Sequence, residues 1–273
     1  MSAAAGSRWG RGWALVTGAS GGLGAEMARV LAERGFPLVL TARSGERLQA
    51  LARELEDAHG TRTHTLTSDL GRSGAAETLA DAVEALDVTV EVLVNNAGVG
   101  QWGPWLEQDP EGELAMLRLN VEALTVLARR FAPDMAAQGY GRILNVASVA
   151  SFFPGPGMSV YYATKAYVLS LSEALAQELR GSGVTVTCLC PGPVLTGFQE
   201  RAGFRVPRAA RASVLPAARV AREGIDGMFR GRARVVPGFL NRVSAFLPRL
   251  LPRSVVPALV DRVQSERGPG GER

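Results

Sequence analysis

Lysine is almost absent from this chain. Of 30 basic residues, one is a lysine, Lys165, and the other 29 are arginines. Histidine and cysteine are nearly as rare, at two each. His59 and His64 fall in a turn region away from the cysteines, so no metal site is expected and both read as surface residues. Cys188 and Cys190 stand two apart in an expected strand, where neighbours point the same way but cannot easily close a disulfide. Two such thiols fit a reducing compartment and hence a cytoplasmic location. No stretch of about 18 residues is apolar and charge-free enough to span a bilayer. Residues 1–13 hold arginines and glycines but no apolar segment, so no signal peptide is expected. There is no linker and no internal repeat.

The 273 residues and 47% hydrophobic content suit one large α/β domain with a sizeable core. Charge is uneven. Residues 201–273 contain fifteen arginines against five acidic residues, a net +10, which leaves −6 on the first 200 from an overall +4. A basic end can serve nucleic acid, anionic lipid or a partner. Here the arginines alternate with apolar residues and prolines, and aromatics are few. A solvated, partly amphipathic cap is therefore favoured, with no nucleic-acid role.

Short β-branched runs alternate with longer helical patterns. Strands are expected at 13–17, 37–41, 62–67, 90–94, 142–147 and 184–189. Helices are expected at 26–34, 46–58, 75–86, 110–138 (with a break near Asn120) and 159–180. Buried, unalternating strands in a βαβα order predict a doubly wound parallel β-sheet of Rossmann type, flanked by helices on both faces. Its ligand crevice lies at the strands' C-terminal ends. Residues 1–240 would form this domain, with a lid over 197–216, a helix near 217–229 and a closing strand near 233–236. Residues 241–273 would be a basic, apolar extension with a flexible end.

Gly18, Ser20, Gly21, Gly22, Leu23 and Gly24 follow the first strand and open a helix. Glycines there permit a sharp turn and let backbone N–H groups approach a pyrophosphate; a tight strand–helix turn without a ligand is the alternative. At the end of the second strand an acid would bind a ribose 2′-hydroxyl, whereas arginine accommodates a 2′-phosphate. The residues there are Thr41, Ala42 and Arg43, so NADP is expected rather than NAD. Arg47 is a second phosphate contact or a solvated helix residue. Asp69, with Leu70 after it, either accepts from an adenine amino group or caps the following helix. Asn96, Ala97 and Gly98 close the fourth strand, where small residues let the backbone lie against a ribose and asparagine side chains can bond local backbone.

Tyr161 and Lys165 are four apart on one expected helix and so share a face. A nearby ammonium favours phenolate and makes tyrosine a usable acid near neutral pH; the alternative is a surface lysine beside a core tyrosine. Asn120, inside an apolar helix, needs hydrogen-bond partners, and binds a water or ties down a kink. Ser148 ends the fifth strand, where a hydroxyl could hold a substrate carbonyl.

Taken together, residues 17–24 and 95–98, Asn120, Ser148, Tyr161, Lys165 and the pair Pro191 and Gly192 resemble the short-chain dehydrogenase/reductase family, in its NADP-preferring branch with a C-terminal extension. The resemblance spans roughly residues 12–197. It implies a catalytic tetrad of Asn120, Ser148, Tyr161 and Lys165. Tyr161 would deliver or remove the proton, Lys165 would lower its pKa and hold the nicotinamide ribose, Ser148 would bind the substrate oxygen, and Asn120 would anchor a water linking Lys165 to solvent. Pro191, Gly192, Val194 and Thr196 would lie over the nicotinamide. The family also implies a homodimer or homotetramer through the helices bearing Asn120 and Tyr161.

Trp102, Trp105, Phe152, Phe153, Pro154, Met158, Phe198 and Phe204 border the expected crevice and suggest a hydrophobic ketone or secondary alcohol, although half of them could be plain packing. Arg201, Arg205 and Arg208 either meet an acidic group or are solvated. Tyr162 is assigned to packing or the substrate wall. Residues 239–263 pack within the chain or on another subunit in preference to a membrane, because Pro248, Pro252 and Pro257 interrupt one continuous amphipathic helix. The competing function is an NADP-binding sensor or scaffold without catalysis.

Titration with NADPH and NADH in parallel, followed by ligand fluorescence, should show NADPH bound at least about tenfold more tightly, the worth of one charge-assisted hydrogen bond. Preference for NADH would overturn Arg43 as the selector.

Overall fold

The structure, a computed structural model, describes residues 12–264. Its first half runs β1 (Trp13–Thr17), α1 (Gly22–Glu33), β2 (Leu38–Ala42), α2 (Gly45–His59), β3 (Thr63–Thr67), α3 (Ala75–Glu84) and β4 (Val90–Asn95). Then come α4 (Pro110–Leu117), α5 (Ala123–Ala137), β5 (Gly141–Val146), α6 (Ser159–Glu178) and β6 (Val184–Leu189). The chain closes with α7 (Phe198–Arg201), α8 (Ala217–Phe229), β7 (Arg234–Val235), α9 (Phe239–Phe246) and α10 (Val256–Gln264). All seven strands are parallel, in the order β3-β2-β1-β4-β5-β6-β7. This is the Rossmann-type arrangement that the sequence pattern predicts.

The strands are buried on both sides, and the period-2 alternation sorts their residues between two cores. Ala14, Val16, Leu38, Leu40, Val92 and Val94 pack beneath α1, α2 and α8. Leu15, Val39, Leu93 and Ile143 pack beneath α3 and α5 on the other face. At the sheet edge, β3 is only partly buried, which fits its threonine-rich sequence. His64 sits there and stacks on Trp13 at 4.8 Å, so it is half-buried rather than a surface residue.

The long helix expected over 110–138 is divided as predicted near Asn120. The dividing segment, Arg118–Glu122, is a π turn. The lid region is more ordered than its irregular sequence suggests, with α7 and a 3-10 turn at Arg208–Ser213. Prolines divide the C-terminal segment as expected: Pro248 lies in a 3-10 turn, Leu247–Leu250, and Pro257 is the second residue of α10. The inner side of this segment packs on the rest of the chain through Asn241, Ala245, Val256 and Gln264. Among the described residues, no helix is long and apolar enough to cross a membrane.

A buried polar seam fixes α6 against the sheet. Asn95 Nδ2 donates to Asn145 Oδ1 at 3.0 Å, and Asn145 Nδ2 donates to Ser172 Oγ at 3.0 Å. Ser172 Oγ in turn donates to the Val168 carbonyl at 2.6 Å. All three residues are buried, so removing one strands its partner. Ser172→Ala should cost about 1–3 kcal/mol in urea unfolding, the price of an unsatisfied buried amide; an unchanged midpoint would show that the seam relaxes around the gap.

Candidate active site

Strand order reverses between β1 and β4, so their C-terminal ends part and open a crevice. Thr17 and Asn96 tie its floor together. Thr17 Oγ1 accepts from the N–H groups of Asn96 and Ala97 at 3.0 Å each. Asn96 Nδ2 donates to the carbonyls of Thr17 and Gly18 at 2.9 and 3.3 Å. As expected of an asparagine here, the Asn96 amide bonds local backbone, in the glycine turn, and the residue also lines the crevice.

That turn is shaped by what it excludes. Gly18 has φ of 68°, and a β-carbon on Gly24 would lie 2.3 Å from the Gly18 carbonyl oxygen. Gly21, at the N-cap of α1, has open space where a side chain would be and makes no side-chain cap bond. Unpaired N–H groups at the positive end of α1 therefore face the crevice, an arrangement that fits a pyrophosphate.

The crevice holds about 390 Å³ and is lined by every residue that the sequence assigned to a cofactor. Arg43 and Arg47 stand at one end, beside Ser44, which caps α2 without a side-chain bond. Asp69 is not the cap of α3, a position held by Gly74. Its carboxylate accepts from Gly71 N at 3.3 Å, with Arg72 Nε at 3.8 Å, and stays 41% exposed beside the crevice.

Ser148, Tyr161 and Lys165 line the other end. Tyr161 and Lys165 lie one turn apart on the buried face of α6, with Nζ 5.8 Å from the phenol ring centre. Ser148 is extended and caps a 3-10 turn, Val149–Phe152. Its Oγ accepts from Ala150 N at 3.1 Å and reaches the Pro191 carbonyl only at 3.5 Å. Asn120 lies beneath the crevice and does not line it. Asn120 Oδ1 accepts from Val99 N at 3.0 Å, and Nδ2 donates to the Val99 carbonyl at 2.9 Å and to Thr164 Oγ1 at 3.1 Å. Any water on this side chain is left with the second lone pair of Oδ1.

Four of the aromatic or large residues expected in the substrate wall line the crevice: Met158, Tyr162, Phe198 and Phe204. Phe152 turns away and sits under Arg234. Phe153 packs on Tyr162, Trp102 lies against Gly157, and Pro154 is exposed. Trp105, on a 3-10 turn, is 62% exposed. Arg205 and Arg208 are exposed and outside the lining, and the side chain of Arg201 lies outside the described residues.

Two residues of the C-terminal segment escaped the sequence reading. Asn241 is buried, donates to the carbonyls of Ser213 and Pro237 at 3.1 and 2.9 Å, and abuts Gly192 so closely that a β-carbon there would collide with it. Gln264 Nε2 donates to the Tyr162 hydroxyl at 2.7 Å. The one available signal was a lone amide in an apolar helical stretch, the same signal that marked Asn120.

A model of the short chain dehydrogenase family matches residues 12–204. Nodulation protein G of Rhizobium meliloti is 38% identical over 189 residues, 69% of this chain and 75% of that protein. A very-long-chain 3-oxoacyl-CoA reductase of Danio rerio is 32% identical over 67% of this chain and 58% of its own length. Among solved structures, a short-chain dehydrogenase from Sphingobium yanoikuyae in complex with NADPH is 36% identical. It aligns with a TM-score of 0.79 over 88% of this chain and 94% of that one.

Lys165 is 5% exposed. Its Nζ donates to the Val146 carbonyl at 2.9 Å, and burial pulls its pKa down to about 8. The sign follows from linkage. Between about pH 8 and its ordinary value near 10.5, the folded amine has lost its proton while the unfolded one keeps it. The burial penalty is therefore full below pH 8 and is relieved as pH rises through that window. Compared with Lys165→Met, the cofactor-free wild type should gain up to about 3 kcal/mol across it, measured by urea unfolding at both ends; a constant difference would mean that the ammonium is solvated.

Proposed function

The chain belongs to the short-chain dehydrogenase/reductase family of oxidoreductases, and we propose that it interconverts a hydrophobic ketone and its secondary alcohol with NADP(H). The observation that carries this reading is one crevice with two chemistries. Ser148, Tyr161 and Lys165 line one end, and the uncapped N-terminus of α1 with Arg43 and Arg47 lines the other. The nicotinamide, when bound, supplies or accepts the hydride.

The chain's own residues position the reactants and move the proton. Tyr161 gives its hydroxyl proton to the ketone oxygen in reduction and takes it back in oxidation. The adjacent Lys165 ammonium favours the phenolate that results. Among the described residues one protein acceptor is seen for its three hydrogens, the Val146 carbonyl, so the others would serve the nicotinamide ribose. Ser148 Oγ, weakly engaged at 3.5 Å with the Pro191 carbonyl, turns its hydrogen to the substrate oxygen. Asn120 is a positioning residue: it clamps Val99 and Thr164, and so holds the fourth strand's loop against α6.

Arg43 and Arg47 support NADP over NAD, since guanidinium groups match a 2′-phosphate. Met158, Phe198, Phe204 and Val206 support an apolar substrate. Leu114, Leu117 and Tyr167 are exposed on α4 and α6, which favours a homodimer or homotetramer through these helices.

Tyr161→Phe should lower kcat on a ketone panel by about 10²–10⁴-fold, the usual worth of a positioned general acid, with NADPH affinity nearly unchanged. Retained turnover would remove Tyr161 as the acid. Tight NADPH binding by the wild type without turnover of any ketone or alcohol would favour the sensor reading.

A further inference from the structure

Among the described residues, nothing covers the outer face of the C-terminal segment. Along α9 and the 3-10 turn that continues it, Phe239 is 70% exposed, Phe246 56%, Leu247 52% and Leu250 67%. Leu240 and Val243 belong to the same face and are also exposed. Their spacing is that of one helical stripe. On the opposite side of this helix Asn241 and Ala245 are buried, so the segment is amphipathic with its apolar stripe turned outward. Residues 265–273 carry no large apolar side chain that could cover it.

Beside the stripe, and sharing Phe246 with it, is a cleft of about 430 Å³ lined by Arg230, Arg232, Arg234, Arg242 and Arg249. Two acids also line it, and both are engaged from outside. Glu223 pairs with Arg219 at 2.8 Å, and Asp226 pairs with Arg34. Arg234 pairs with Glu173 at 2.9 Å. No carboxylate partner is seen among the described residues for Arg230, Arg232, Arg242 and Arg249.

We propose that this face docks on an anionic lipid bilayer, with the stripe from Phe239 to Leu250 in the interface and the unpaired arginines on lipid phosphates. Charge complementarity selects this occupant. An apolar stripe flanked by guanidinium groups is the composition that an anionic membrane surface attracts, and arginine pairs with phosphate bidentately. A second copy placed by two-fold symmetry would bring a second set of the same guanidinium groups, and no acid beyond the same paired ones, into the interface. Pro252 and Pro257 do not oppose the proposal, because α9 and the 3-10 turn carry the stripe without help from α10, and Pro248 sits within that turn without interrupting the stripe. The inner side of α9 holds Ser213 of the lid and abuts Gly192 of the crevice. Docking would therefore place the crevice close to a lipid phase, where an apolar substrate dissolves.

The test is co-sedimentation of the full chain with phosphatidylcholine vesicles, with and without phosphatidylglycerol. Binding should require phosphatidylglycerol and weaken with salt. The pair Arg242→Glu and Arg249→Glu should weaken it by more than about tenfold, since one arginine near such a surface is worth about fivefold. The pair Phe246→Asp and Leu250→Asp should weaken it at least as much. NADPH binding by the variants serves as the folding control, because none of these residues lines the crevice. Phe246→Trp gives an independent reading, in which its emission should shift to the blue on phosphatidylglycerol vesicles. Absent sedimentation, binding indifferent to both pairs, or an unshifted tryptophan would overturn the proposal. So would self-association that Leu250→Asp abolishes in a chain that ignores vesicles.

Discussion

A buried ammonium must be held by hydrogen bonds or give up its proton, and Lys165 imposes that condition on everything around it. Its acceptor is the last carbonyl of β5, so the sheet and α6 cannot shift relative to each other without releasing the charge. Ser151 Oγ donates to the carbonyl of Lys165 at 2.7 Å, and the seam from Asn95 to Ser172 fastens the helix farther along. There is no spare room. A β-carbon on Gly98 would lie 3.2 Å from Asn120 Oδ1 and 3.3 Å from Nζ. The branched guanidinium of arginine would not fit such a niche, which accounts for the one lysine in a chain that otherwise uses arginine.

Below Lys165, Cys188 and Cys190 are buried with their sulfurs 3.6 Å apart. The hydrogen bond shared with Cys188, together with burial, pushes the Cys190 thiol far above its ordinary pKa. Cys190 thus behaves as a small apolar residue under the site, and Cys188 is buried beside it. The crevice floor is rigid for a related reason: Thr17 and Asn96 satisfy the backbone groups that the parting of β1 and β4 leaves open. The lid is tied to the loop after β6 and to α9. Gln199 Nε2 donates to the Val194 carbonyl at 2.7 Å, Val194 bridges to Leu215, and Asn241 holds the lid's far end. The C-terminal segment is therefore part of the crevice's enclosure on its inner side, while its outer side is uncovered among the described residues.

The sequence by itself determined the sheet, the order of strands and helices and the position of the crevice. Parallel strands buried on both faces must be apolar throughout, and a glycine turn between strand and helix has few other uses. It also determined that Tyr161 and Lys165 share a face, because helical spacing is local. Tertiary structure alone decided what each side chain touches. Phe152 and Phe198 look alike in sequence, yet one faces an arginine cleft and the other the crevice, because a 3-10 turn and the lid rotate them apart. Asn120 and Asn241 are both amides in apolar helices, and only packing shows that one clamps α6 while the other holds the lid. The outward stripe on α9 was hidden for the same reason. An amphipathic pattern states that a helix has an apolar face, but which face meets the core depends on the atoms packed beneath it.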